Sequence, residues 1–429
     1  MHPAIAIPLA LTLALAVACL VYWSVALVRV YQALRRLPTL RHGAALPLPD
    51  PSPTVCAVIP AHNEAGHIAQ LIRTLADQDY PALHVVLACD RCTDNTVALA
   101  REAVTHAGAA DRFTILEITS CPDDWAGKTN AIWQAVQRAP HASSSDLLLF
   151  ADADTRFDPS CLRAAVALLH HRKLDLLSIL STLSARHWFE RVIQPAASLE
   201  LLRQYPMHSS NRYPNPRPFA NGQFLLFRAE AYRAVGGHEA VKDDLLEDIA
   251  LARAIGFSDR RPGVLLAAGL LTCHMYESFP DFRRGWKRIY TEAANRRAPR
   301  LASLAWRVRF SNCILPLAAL ATLILSCMAP SRDLGADVLD LAALLVSSLA
   351  LLAYFTAMFS TLRAQRAPLW AAFLQPFAAL SVASILSEAA RDLRSGRATA
   401  WGGRNYVLQD RGHRPPTSRI PITPPLSEP

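Results

Sequence analysis

Asp152 and Asp154 are the residues around which chemistry is expected to gather, because two carboxylates one residue apart can turn toward a single point. They follow four consecutive apolar residues, Leu147–Phe150, which read as a strand buried on both faces. The pair therefore falls at the strand's carboxyl end, where open α/β sheets place their ligands. Two ionised carboxylates this close are stable mainly with a cation between them, and a hard divalent ion, Mg²⁺ or Mn²⁺, suits their oxygens. Spacing alone is not enough: Asp77 and Asp79 repeat it, yet they precede Tyr80-Pro81 and read as a solvated helix end. A second acidic centre, Glu247-Asp248, is flanked by Leu245, Leu246 and Ile249, an awkward setting for carboxylates without a task. The plain alternative is a pair of helix N-terminal acids, since residues 249–255 look helical.

Short apolar runs at residues 55–59, 85–88, 113–118, 147–150 and 174–180 predict strands. Intervening segments of about 15 to 25 residues have the length of crossover helices, so the expected fold is α/β with a largely parallel sheet flanked by helices. Polar clusters stand at the strand ends: Pro60-Ala61-His62-Asn63-Glu64 after the first, Asp90-Arg91-Cys92-Thr93-Asp94 after the second, and the Asp152 pair after the fourth. Three such clusters converging on one crevice make a nucleotide site. Asp90 can accept a hydrogen bond from a base N–H. Glu64 serves either that site or the dipole of the helix it opens. Gly127-Lys128-Thr129 resembles the end of a phosphate loop but lacks the upstream glycine. Lys128 is one of only four lysines, with 173, 242 and 287, and reads either as a ligand contact or as a surface residue starting a helix. Gly222-Gln223-Phe224 through Gly236-Gly237 reads as a strand and helix on the acceptor side of the cleft. His274, after an apolar run, reads more as a satisfied core histidine than as a ligand.

The chain has 429 residues, 52% of them hydrophobic, with a formal net charge of +9. That composition suits a soluble domain joined to membrane spans. Residues 3–28 carry no charge and are long enough to cross the bilayer, and Arg29, Arg35, Arg36 and Arg41 after them place that end in the cytoplasm. Prolines 47, 49, 51 and 53 form a stiff linker. Further uncharged stretches cover residues 310–330, 341–362 and 367–387. The first two read as out and back, from Asp333, Asp337 and Asp340 on one side and Arg363 and Arg366 on the other. The third conflicts with a basic tail (Arg391, Arg394, Arg397, Arg404), and Gln375-Pro376 at its middle suggests a broken, re-entrant segment. Residues 281–300 carry Phe282, Trp286, Ile289 and Tyr290 at helical spacing among arginines, the pattern of an amphipathic helix in the membrane interface. A basic helix can also bind nucleic acid, but the neighbouring spans argue against that partner. Nine scattered cysteines, with Cys89 and Cys92 a lone C-x-x-C, read as reduced cytosolic thiols.

The ordered set V-I-P-A-H-N-E, A-C-D-R-C-T-D-N-T, G-K-T-N-A, A-D-A-D and L-E-D resembles the GT-A domain of glycosyltransferase family 2 over roughly residues 54 to 275. W-A-G-K-T-N-A-I-W-Q and W-F-E-R-V-I-Q-P are most similar to the membrane-bound group associated with hopanoid biosynthesis. Many relatives carry two adjacent Asp after the second strand, whereas here Cys89 precedes Asp90. The resemblance implies an inverting, metal-dependent hexosyltransferase taking a sugar from a nucleotide diphosphate, UDP above all, to a membrane lipid. It implies Pro60, Ala61, Glu64, Asp90, Lys128 and Asp152 at the nucleotide, Asp152 and Asp154 at Mg²⁺ or Mn²⁺, and Asp248 with Glu247 at the catalytic base. Gly222, Arg284, Trp286 and Lys287 are expected beside the acceptor or diphosphate, since Arg284-Gly285-Trp286 loosely resembles the Q-x-x-R-W motif of processive relatives. Residues 400–406 resemble a W-x-G-R-x-Y tail of related membrane transferases. The expected organisation is an N-terminal membrane helix (1–30), a basic, Pro-rich linker (31–53), a cytoplasmic transferase domain (54–276), the interfacial helix (281–300), C-terminal membrane segments (310–387) and a basic, partly disordered tail (388–429). The expected location is a bacterial-type inner membrane. Two other functions fit the same residues: a processive polysaccharide synthase, and a membrane scaffold with a degenerate nucleotide site.

Overall fold

The computed structural model describes residues 3–205, 209–212, 218–328, 334–401 and 404–410. In chain order the strands are β1 (Val55–Ala61), β2 (Leu83–Asp90), β3 (Phe113–Ile118), β4 (Leu147–Phe150), β5 (Thr155–Phe157), β6 (Leu176–Leu180), β7 (Thr182–Leu183), β8 (Leu225–Arg228), β9 (Pro262–Leu266) and β10 (Leu271–Cys273), with a final hairpin of β11 (Thr399–Trp401) and β12 (Arg404–Tyr406). Seven form one sheet in the order β3-β2-β1-β4-β8-β6-β9, and every pairing in it is parallel except those of β8. This is the mostly parallel, helix-flanked sheet expected. Alternation across each strand divides the core: Val55, Ala57 and Ile59 face one set of helices, Cys56 and Val58 the other. Both sets are fully buried, which is why the strands read as unbroken apolar runs.

The chain leaves β1 toward β2 on one side and pairs with β4 on the other, so the crevice between their carboxyl ends is the topological switch point. A small sheet of β5, β10 and β7 closes this edge. It holds the loop bearing Asp154 through His274 N, which donates to Asp154 O at 3.0 Å.

Among the described residues four helical stretches, Leu9–Arg36, Ala298–Met328, Asp340–Ala364 and Leu369–Ser395, are long and apolar enough to cross a membrane. The first, second and third pack together around Trp23, Leu315, Ala319 and Tyr354. Within residues 367–387 a 3₁₀ stretch, Leu369–Leu374, gives way to helix Gln375–Ser395 just before Pro376, which lies in that helix's first turn, where its missing N–H costs nothing. One expectation changes here. Residues 281–300 are not one helix: Phe279–Ala293 and Ala298–Arg309 are separated at Asn295 and Arg296, which both take positive φ. The apolar stripe of the first, Phe282, Trp286, Ile289 and Tyr290, is buried against Val382, Leu386 and Leu393 of helix Gln375–Ser395, so protein covers the face expected at lipid. Arg332, Asp333, Gly402, Gly403, residues 411–429 and the Asp337 side chain lie outside what is described.

Candidate active site

A cavity of about 1190 Å³ opens at the switch point and brings together nearly every residue expected there: Pro60, Ala61, Glu64, Asp90, Lys128, Asp152, Asp154, Gly222, Glu247 and Asp248. Its centre is Lys128, in the first turn of helix Gly127–Arg138. Its ammonium stands 2.6 Å from Asp152 Oδ1 and 2.6 Å from Glu247 Oε1, joining the two acidic centres that are far apart in sequence. Burial pulls the amine's pKa down, but Asp152 and Glu247 outweigh it and hold the charge on. Lys128 is thus neither a surface lysine nor part of a phosphate loop.

Asp248 accepts at both oxygens, from Gly222 N at 2.7 Å and from its successor Ile249 N at 2.7 Å, which fixes the carboxylate and leaves lone pairs on the cavity side. Burial, and then the adjacent Glu247, raise its pKa to about 7. Glycine at 222 follows from the same crowding: a Cβ there would stand 3.0 Å from Lys128 Nζ and 3.4 Å from Asp248 Oδ2.

On the donor side, Asp154 Oδ1 is buried with no hydrogen-bond partner. Burial, then the Asp152 charge, push Asp154 well above the usual carboxylate range. Glu64 is pushed up to about 8 by burial and then by Asp154, Asp152 and Asp94. Glu64 and Asp154 are thus both raised in part by neighbouring acids, so carboxylates crowd one another at this point. Among the described residues no three His, Cys, Asp or Glu side chains converge as a closed metal cage. A Mg²⁺-type ion takes one or two carboxylates and completes its shell with water and phosphate oxygens. Asp152 and Asp154, one with an orphan buried oxygen, fit that description.

Some expectations move. Asp90 is buried and its carboxylate is held by Arg91 at 2.8 and 2.6 Å, so it meets a base only while sharing that guanidinium. Lys287 does not line the cavity; it is paired with Glu388 at 2.8 Å and Asp392 at 2.6 Å. Helical phase explains this, since Asp281, Arg284 and Arg288 share the cavity-facing side and Lys287 lies about 100° round from Arg288. Arg288, which sequence reasoning passed over, donates to Leu245 O at 2.7 Å and stacks 4.5 Å over the ring of Trp401. Arg288 Nε and Trp286 Nε1 are buried without acceptors, and both residues line the cavity. Trp401 reaches the cavity from the far end of the chain, and Gly127 N donates to Tyr406 Oη at 3.2 Å. The tail motif was visible in sequence; its place was not. His274 is not the satisfied core residue expected, because its Nδ1 is buried and unpartnered.

Residues 51–263 match the family described as glycosyltransferase like family 2. Among curated proteins, 4,4'-diaponeurosporenoate glycosyltransferase of Staphylococcus aureus strain MRSA252 is 27% identical over 251 residues, 57% of this chain, and the matched chain spans 62% of that relative's length. Among solved structures, a mannosyltransferase from Pyrobaculum calidifontis with GDP-Man and Mn²⁺ is similar with a TM-score of 0.44 at 19% identity, covering 81% of this chain and 99% of that one. Glucosyl-3-phosphoglycerate synthase from Mycobacterium tuberculosis is similar with a TM-score of 0.39 at 15% identity, covering 61% and 88%.

Proposed function

Since the chain belongs to glycosyltransferase-like family 2, we propose that it moves a sugar, with inversion, from a nucleotide diphosphate donor of the UDP class to a membrane lipid. One observation carries the reading. The cavity that holds the donor-side acids and Asp248 continues past Leu201, Leu202, Phe219 and Ile249 to Leu34 and Arg363, at the ends of two candidate spans. An apolar passage from membrane helices to a buried acid suits a lipid acceptor better than a soluble one.

In this reading Asp152 and Asp154 hold a divalent cation, Mg²⁺ or Mn²⁺, whose charge offsets the diphosphate. Pro60, Ala61, Glu64 and Asp90 border the base and ribose end of the donor. Asp248, oriented by two backbone amides, takes the acceptor hydroxyl proton as the hydroxyl oxygen attacks the anomeric carbon and the diphosphate leaves. Lys128 is paired with Glu247, which leaves Asp248 as the acid available for that proton. The catalytic domain is proposed to face the cytoplasm, with the tail on the same side.

The test is transfer by the purified full-length chain in nanodiscs, supplied with UDP-[¹⁴C]sugars and a bacterial lipid extract. Label entering the organic phase as a discrete lipid supports the reading. Label in a water-soluble polymer would identify a processive synthase, and no transfer with any sugar would point to a scaffold.

A further inference from the structure

A second, smaller cavity of about 330 Å³ lies outside the transferase cleft and is lined by Gly66, His67, Gln70, Arg156, Arg186, His274 and Glu277. Its lining is cationic. Arg186 Nη2 donates to Glu277 Oε1 at 2.9 Å, His67 Nε2 and His187 Nε2 each stand 3.6 Å from the same carboxylate, and Arg156 Nη2 lies 3.3 Å from His67 Nδ1. One guanidinium and two imidazoles thus share the Glu277 carboxylate, which is itself half exposed, while Arg156 lies against His67. Asp154 also attracts Arg156, but it belongs to the cation site. Burial and the neighbouring guanidiniums hold His67 below the ordinary imidazole range. His274 Nδ1, buried and unpartnered, adds a free position for a hydrogen bond. The first turn of helix Ile68–Ala76 begins at this pocket and carries no side-chain cap.

Apolar surface adjoins it. Trp188 follows Arg186 by two residues, hence within about 7 Å along the chain. It is 51% exposed, and its ring centroid lies 5.1 Å from that of Phe279 and 6.5 Å from that of Phe377. Phe377 is itself exposed, and exposed Trp370 and Phe373 continue the patch along a candidate span. A tryptophan at the border between an apolar belt and a basic pocket is the arrangement expected at the headgroup level of a bilayer.

We propose that the Arg156–Arg186–His67 pocket binds the phosphate of an anionic phospholipid headgroup, with Trp188, Phe279 and Phe377 against its acyl chains. The guanidiniums supply charge-assisted, bidentate contacts to phosphate oxygens. Glu277 closes the pocket when it is empty and yields when phosphate enters. This site does not depend on the transferase reading, since it shares no lining residue with the catalytic cavity.

The test is native mass spectrometry of the delipidated full-length protein, titrated with phosphatidylglycerol, phosphatidylcholine or inorganic phosphate. Phosphatidylglycerol is expected to be retained in preference to phosphatidylcholine. Arg186→Gln should weaken that binding roughly tenfold or more. Glu277→Gln should tighten it, a gain that misfolding cannot produce. Equal retention of the two lipids, or no change in either variant, overturns the proposal. Occupancy by inorganic phosphate without phosphatidylglycerol binding overturns the lipid assignment and makes this a free-phosphate site.

Discussion

The Lys128 ammonium lies 2.6 Å from Asp152 Oδ1, at the carboxyl end of β4, and the same nitrogen lies 2.6 Å from Glu247 Oε1, at the start of helix Glu247–Phe257. A single cation therefore ties the strand end that is proposed to receive the diphosphate to the helix that carries the proposed base. Removing one member of such a set leaves buried charge uncompensated, which costs about 3 to 5 kcal/mol where both partners are inaccessible. Glu247 is nearly inaccessible while Asp152 is 31% exposed, so the lower end of that range applies. Lys128→Met is expected to lower Tm by several degrees and to reduce turnover strongly, with Lys128→Arg recovering part of both. Unchanged Tm and activity in Lys128→Met would remove the lysine from the account.

Asp154 gives a prediction with two signs. Its buried, unpartnered Oδ1 is a cost without a cation, so Asp154→Asn should raise Tm of the metal-free protein. The same change should abolish the gain in Tm and in nucleotide-diphosphate affinity that Mn²⁺ or Mg²⁺ gives the wild type. Metal-dependent binding that survives in the variant would place the ion elsewhere.

The pH profile follows from Asp248. A base works only when deprotonated, and burial raises this one to about 7. Activity limited by it should therefore be low in acid, rise as pH passes through about 7 and level off above. Absence of that acid limb at saturating donor, or its persistence in Asp248→Asn, would assign the titration to another group.

Much of this was legible in the chain. Leu147–Phe150 and Phe113–Ile118 are strands at the positions the apolar runs predicted, and the first, buried on both faces, announces itself locally as an unbroken apolar run. The acids at the ends of β1, β2 and β4 meet in one cavity because sheet topology brings those ends together. What the chain hid was non-local. The insertion of β8, only four residues long, between β4 and β6 depends on pairing across the fold. Lys287 was misplaced because only its partners, Glu388 and Asp392, reveal which side of its helix faces them. Trp401 lies more than a hundred residues from anything it touches in the cleft, such as Arg288.

The tail also fixes an expectation about topology. Tyr406 accepts from Gly127 N and Asp410 accepts from Ala298 N, so the tail and the catalytic domain must share one side of the membrane. If the domain is cytoplasmic, helix Gln375–Ser395 rests on it without crossing. Reporter fusions after Arg41, at Leu334 and after Arg404 should read in, out and in. An outside reading after Arg404 would make Leu369–Ser395 a full span and contradict the contact.

The most direct test of the central claim is the separation of turnover from donor binding in Asp248→Asn. Asparagine keeps the shape and loses basicity, while the acceptor hydroxyl is far too weak an acid to ionise unaided. Single-turnover transfer should fall by roughly 10² to 10⁴, the usual worth of a positioned base, with donor Kd near the wild-type value. Transfer within a few-fold of wild type would give the role to Glu247 or another acid, and a collapse of donor binding would move Asp248 to the donor site and refute the mechanism.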